Sequence, residues 1–246
     1  MKAAPADQER LLELQGLDST LTRLMARRRA LPEIVEIADL GSRLDALDDA
    51  GVAARTQVQD LARAQAKLDT DVEVVRARMA RDQQRMAGGA AGAKELVDLA
   101  SEVDSLRRRQ GVLEDEELEV MQAREEAEGE LSRIEAVRAE TEAARSAAQE
   151  RLAAAQAQID TEASLTATRR GQLAPTLPAD LLGLYDKIRS TAGGVGAAAL
   201  HRRRCQGCNL ELAGSELREV AAAAADEVVR CENCRRILVR TDESGL

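Results

Sequence analysis

From Ile37 onward, seam positions recur at alternating spacings of three and four: Ile37, Leu40, Leu44, Leu47, Gly51, Ala54, Val58, Leu61, Gln65, Leu68, Val72, Val75, Met79, Asp82 and Met86. Most are apolar, and charged residues fill the positions between them. A 3.5-residue period held for this long predicts a coiled-coil seam, not the stripe of an ordinary globular helix. The run Gly88-Gly89-Ala90-Ala91-Gly92 then breaks the pattern. A second seam follows at Leu96, Leu99, Val103, Leu106 and Leu113, loosens, and resumes at Leu131, Ile134, Leu152 and Ile159. Upstream, Leu11, Leu14, Leu17, Leu21 and Leu24 mark a further amphipathic helix. It ends near Leu31-Pro32, where proline removes a backbone donor and favours a helix start.

The two seams have matching lengths. Residues 7–86 and 93–170 supply 80 and 78 positions on either side of the glycines. Equal arms about a glycine break predict an antiparallel helical hairpin with its turn within 87–93 and its first arm broken near 31–33. At 1.5 Å per residue each arm would run about 115–120 Å. A parallel dimer could use the same seams, but it gives no role to the equal arms or the central glycines.

Pro175 and Pro178 mark a linker after the arms. A short helix is expected over Ala179 to Arg189, then a flexible segment over residues 191–196. Residues 197–240 follow, with β-like stretches at Val228-Val229 and Ile237-Leu238-Val239. The expected fold class is mainly α: a coiled-coil hairpin over 1–172, then linker, short helix and a small metal-held domain over 173–246.

That small domain carries all four cysteines, as Cys205-Gln206-Gly207-Cys208 and Cys231-Glu232-Asn233-Cys234. Two CxxC knuckles 22 residues apart (209–230) can place four thiolates on one tetrahedral zinc. Gly207 and Asn233 sit where each knuckle turns, and both residue types tolerate positive φ. Two disulfides would use the same cysteines. Nothing in the N-terminal sequence has the apolar core of a secretory signal, however, and reduced thiols favour a metal. Four sulfur ligands leave no open position, so Cys205, Cys208, Cys231 and Cys234 are expected to hold one structural Zn²⁺. The helical arms are expected to be insensitive to its loss.

Composition narrows the remaining classes. The chain has no Phe or Trp and one tyrosine, Tyr185, which speaks against a large globular core. No 18-residue apolar run appears, so a soluble, cytoplasmic protein without a membrane partner is expected. The net charge of −9 is concentrated in residues 112–142, where twelve acids face three arginines. Such a strip repels nucleic acid.

Other chemistry is sparse. His201 is the only histidine, and no nucleophile stands beside a base, so neither an enzyme nor a small-molecule substrate is expected. The tip glycines lack the Gly-Lys-Ser/Thr order of a phosphate-binding loop. Arginines surround the knuckles: Arg202, Arg203 and Arg204 before the first, Arg230, Arg235, Arg236 and Arg240 around the second. They are candidate contacts for nucleic acid or a partner. Nearby Glu211, Glu216, Glu219, Asp226, Glu227 and Glu232 nearly balance them, and no aromatic platform is present for stacking bases.

The sequence resembles a bacterial family of coiled-coil hairpin proteins with a C-terminal four-cysteine zinc ribbon, a domain-of-unknown-function family. The resemblance rests on Lys94-Glu95-Leu96 with Leu99 and Glu102-Val103, on Leu113-Glu114-Asp115 with Leu118 and Met121, on Tyr185-Asp186-Lys187-Ile188-Arg189, and on Cys231-Glu232-Asn233-Cys234-Arg235-Arg236-Ile237-Leu238. Leu96 stands where the family often carries an aromatic. The resemblance implies an adaptor or chaperone-like role, since members are linked with flagellar assembly, type III secretion and RNA binding. The expectation is a non-enzymatic zinc-binding adaptor with a protein partner. The alternative is an RNA- or DNA-binding protein working through the arginines beside the ribbon.

Overall fold

A computed structural model describes residues 1–89 and 91–246. Three long helices account for most of the chain: α1 (Pro5–Arg29), α2 (Pro32–Ala87) and α3 (Ala93–Leu173). A 3₁₀ turn over Ala174–Thr176 leads to α4 (Ala179–Thr191). Strands β1 (Ala197–His201) and β2 (Arg204–Cys205), helix α5 (Gly214–Ala222), and strands β3 (Val229–Arg230) and β4 (Ile237–Val239) complete the chain. The α2–α3 connection occupies the expected place, and Gly89 takes φ +68 there. Ala90 lies outside the described residues.

By packing, the chain divides into two units, Val35–Gln149 and Met1–Ile34 with Glu150–Leu246. This differs from the division at 172/173 expected from the linker. The difference arises because α1 and the end of α3 share side-chain contacts with α4 and the sheet.

In Val35–Gln149, α2 and α3 pair antiparallel. Cross-helix ion pairs run in opposite senses along the two helices: Arg85–Glu95, Arg78–Glu102, Arg76–Glu114, Arg55–Glu135 and Arg138–Asp48. Every seam position from Ile37 to Met86 is buried or half-buried. On α3 the seam holds Leu99, Val103, Leu106 and Leu113, all buried. It does not lapse in the acidic strip. It continues through half-buried Glu117, Val120 and Arg124 to buried Ala127. Glu117 meets Asp69 across the seam, and this carboxyl–carboxylate hydrogen bond raises the Glu117 pKa above its usual range.

In the other unit, α1 is the organising element. Leu11 and Leu14 of α1 pack with Leu177, Leu181, Tyr185, Ile188, Ala197, Ile237 and Val239 in one apolar core. Alternate residues of the same strands, Ala198, Leu200 and Leu238, face a second core with Leu212, Val220, Cys205 and Cys231. The two-residue period of the strands thus divides helices from metal ligands. Sheet order is β2-β1-β4-β3, with β1 and β4 parallel and the other pairs antiparallel. Main-chain bonds Val228 N–H to Met1 O (3.0 Å) and Ala3 N–H to Asp226 O (2.8 Å) tie the N-terminus to the chain just before β3.

Two buried polar residues of α1 fix these contacts. Asp18, 1% exposed at its side chain, accepts from Arg170 Nε at 2.7 Å and pairs with an Arg189 terminal nitrogen at 3.1 Å. It also accepts from the Tyr185 hydroxyl at 2.7 Å. Burial, and then that bond to a carboxylate, push the Tyr185 pKa well above its ordinary value. Gln15 donates to Gly194 O (3.2 Å) and accepts from Gly196 N–H (2.7 Å). The segment 191–196, expected to be flexible, is therefore bonded in place. Gly193 and Gly194 supply the positive φ it needs. Gly196 leaves room for the Tyr185 ring, which a Cβ there would meet at 2.6 Å.

Asp18→Ala would strand two guanidiniums and a phenol in a largely buried site, and a loss of about 3–5 kcal/mol is expected. Asp160→Ala at the exposed Arg28–Asp160 pair should cost less than about 1 kcal/mol. Urea unfolding compares the two, and equal losses would refute the organising role of Asp18. At the hairpin, a raised folded-state pKa means that the Glu117 contribution is favourable below its unfolded pKa and is lost as pH rises through the folded value. Glu117→Gln should therefore raise the thermal midpoint at pH 7, and this advantage should shrink on acidification.

Candidate metal centre

Each knuckle is built by the same backbone device. The first cysteine's carbonyl accepts from the residue after the second: Asn209 N–H to Cys205 O at 2.7 Å, and Arg235 N–H to Cys231 O at 2.8 Å. These receiving residues, with φ 61 and 62, carry the left-handed conformation. The expectation for Gly207 and Asn233 is corrected accordingly: neither has positive φ. Gly207 answers a spatial need instead, since a Cβ would stand 2.8 Å from Arg236 Cδ and 3.0 Å from Ala198 Cβ.

The four sulfurs lie within 4.8 Å of one another. Cys205 Sγ is 3.8 Å from Cys234 Sγ, and Cys208 Sγ is 3.9 Å from Cys231 Sγ. A tetrahedral zinc with bonds of about 2.3 Å requires sulfur–sulfur edges of about 3.8 Å. A disulfide would require about 2.05 Å, and all four cysteines are free. The donor set fits one structural zinc. Cys205 and Cys231 are fully buried, and Cys208 and Cys234 are half-buried. Burial raises the Cys205 thiol pKa and pushes Cys231 up to about 12. Backbone N–H groups of Gly207, Cys208, Asn233 and Cys234 oppose that by favouring thiolates. At Cys234, burial is outweighed by bonds from the Arg236 N–H and neighbouring thiols, so its pKa is lowered.

Side chains around the knuckles hold the centre. Arg236 donates to the carbonyls of Val195 (3.0 Å), Gly207 (2.7 Å) and Ala192 (2.7 Å). Buried Glu216 on α5 accepts the Glu232 N–H at 3.0 Å. Sequence reasoning missed Glu216, because one acid in a helical first turn carries no signal of burial. Arg240 donates to Val220 O, Ala223 O, Ala224 O, Ala225 O and Glu227 O, and so caps the end of α5.

The candidate contact arginines are thereby sorted. Arg236 has a structural task. Arg202, Arg203, Arg204, Arg230 and Arg235 remain exposed. Arg204 faces Glu211 at 3.7 Å, Arg230 donates to Arg235 O, and Arg203 Nε to Gly245 O. Arg202 and Arg203 form the two-residue β1–β2 loop with φ 45 and 63. That conformation suits Asn-Gly and costs arginine about 1–3 kcal/mol per residue. His201 bonds Glu243 at 3.0 Å and belongs to no metal cluster among the described residues.

A helical hairpin joined to a four-thiolate ribbon defines the class. The model of the CT398-like coiled coil hairpin domain matches residues 14–193, and that of the C4-type zinc ribbon domain matches 204–238. The chain belongs to the CT398-like coiled-coil hairpin family. An uncharacterised protein of Mycobacterium tuberculosis is 39% identical over 246 residues, 98% of each chain. One of Mycobacterium leprae is 29% identical over 88% of this chain and 93% of its own. A solved Mycobacterium smegmatis structure superposes with TM-score 0.86 at 35% identity, covering 98% of this chain and 100% of that one. CT398 from Chlamydia trachomatis gives 0.68 at 19% identity, covering 96% and 98%, which is a likeness of fold.

Protein purified without chelator should contain one zinc per chain. Because the ligating form is the thiolate, zinc should be released as pH falls, as a chromogenic chelator would report. Gly207→Ala should destabilise the ribbon by about 1–3 kcal/mol through overpacking. A Gly207→Ala protein with unchanged zinc retention on heating would contradict the spatial account of this glycine.

Proposed function

We infer that the protein is a non-enzymatic adaptor with chaperone-like character, holding a protein partner on its helical hairpin and a second macromolecule at its ribbon. The observation that carries this reading is the closed metal site. Four sulfurs at tetrahedral spacing leave zinc no position for substrate, so the metal organises a surface. The paired helices α2 and α3 present exposed side chains along their length, and no helix among the described residues is long and apolar enough to cross a membrane. Membership of the family agrees with this reading at the level of fold and zinc.

One observation favours a second reading, nucleic-acid binding. The strained Arg202-Arg203 loop and neighbouring Arg204 present three exposed guanidiniums together, with Arg230 and Arg235 also exposed on the ribbon. Phosphate binding would weaken steeply with salt and would fall when Arg202, Arg203, Arg204 and Arg235 are neutralised. Arg236 must stay intact, because its loss would unseat Gly207.

A pull-down from native extract, with and without nuclease, separates the two. The adaptor reading expects a protein that survives nuclease and is lost on altering the hairpin or ribbon surface. Disappearance of every partner with nuclease would overturn it in favour of nucleic acid.

A further inference from the structure

Within the acidic strip, the hairpin inverts its own pattern. Glu117 and Arg124 occupy half-buried seam positions, while Leu118 and Met121 point away from the seam, 63% and 44% exposed. Exchanging these roles would bury two large aliphatic side chains and separate Glu117 from Asp69. A local rule broken at a stability cost marks a site used for something other than folding.

These two side chains line a surface groove along α3 with Gln122, Arg124, Glu125 and Glu128, bordered by Gln65 of α2. Arg124 is turned inward, donating to Gln65 at 3.1 Å and to Glu128 at 2.8 Å. On helical spacing, Asp115 and Glu125 lie on the same face as Leu118, and Glu125 lines the groove itself. Asp115, Glu116, Glu119 and Glu125 make no ion pair among the described residues. Residues 35–149 carry 26 acids against 16 bases, a net −10, whereas the rest of the chain is near neutral. A second copy laid face to face would set acid against acid.

We propose that the Leu118–Met121 groove docks a basic amphipathic helix of a partner protein. The partner's apolar stripe would cover the leucine and methionine, and its Lys or Arg residues would meet Asp115 and Glu125. The proposal rests on the adaptor reading and names the partner's chemistry.

The probe is a fluorescein-labelled 14-residue helical peptide of leucine and lysine in amphipathic order, titrated by anisotropy with the zinc-loaded full chain. Leu118→Ser with Met121→Ser should weaken binding at least tenfold at unchanged circular dichroism. Val52→Ser with Val97→Ser, at exposed valines elsewhere on the hairpin, should not. Asp115→Asn with Glu125→Gln should weaken binding and flatten its salt dependence. Equal affinity for the Leu118/Met121 variant, or equal binding of a peptide with glutamate in place of lysine, overturns the proposal. So does a chain dimer seen in sedimentation that the same substitutions abolish, because a second copy then fills the groove. A nuclease-resistant partner still captured by the Leu118/Met121 variant also removes this groove, while leaving the adaptor reading intact.

Discussion

One carboxylate fixes the larger arrangement of α1, α3, α4 and the sheet. Asp18 sits fully buried on α1 and is reached by Arg170 from α3 and by Arg189 and Tyr185 from α4. A buried charge without partners is costly, so only an arrangement that brings all three donors together tolerates it. Apart from Tyr185, the core around it is made of Leu, Ile, Val and Ala, which pack acceptably in many registers. The polar node selects one. Gln15, one helical turn earlier on the same stripe, extends the selection to the start of β1 through Gly196 and Ala197.

The zinc centre connects with this node through the sheet. Cys205 and Cys231 pack beneath Ala198, Leu200 and Leu238, whose neighbours Ala197, Ile237 and Val239 face α1 and α4. Arg236 adds a polar link, bridging the carbonyl of Gly207 inside the first knuckle to those of Ala192 and Val195 after α4. The ribbon therefore shares a core with α1 and α4. The short helix was expected beside the ribbon; the contact with α1, from the first arm, was not, and α1 and α4 both lie on the other face of the zinc-held strands.

The parts legible in the sequence were those with a period or a fixed ligand spacing. A seam sustained from Ile37 to Met86 admits one face of α2, and the glycines fix where the chain reverses. CxxC twice over specifies four ligands. What escaped was decided by tertiary context. Ala197 to Leu200 reads as a helix former, yet parallel pairing with β4 makes it a strand and overrides propensity. Gln15 and Asp18 break no visible rule, because polar residues on a helix default to solvent. Their spacing with Gln8 and Leu11 shows the buried stripe only once Tyr185 and Arg170 are known to face it. The left-handed residues fell one place after each knuckle because a main-chain bond to the first cysteine, not the tightness of the CxxC turn, demands that conformation.

The two units meet their stability requirements by different means, and this bears on where interactions can occur. In Met1–Ile34 with Glu150–Leu246, polar groups such as Asp18, Gln15, Glu216 and Arg236 are matched to specific partners. Such positions leave little freedom for change. The hairpin of Val35–Gln149 is held by a repetitive seam whose contributions are many and individually modest. It can absorb a Glu117–Asp69 contact or an inward-turned Arg124 without losing its register, since Leu113 and Ala127 remain buried on either side. A redundant scaffold of this kind can give several turns of surface to recognition. The outward Leu118 and Met121 within unneutralised carboxylates are what such a surface contains when its chemistry is selected by something other than the fold.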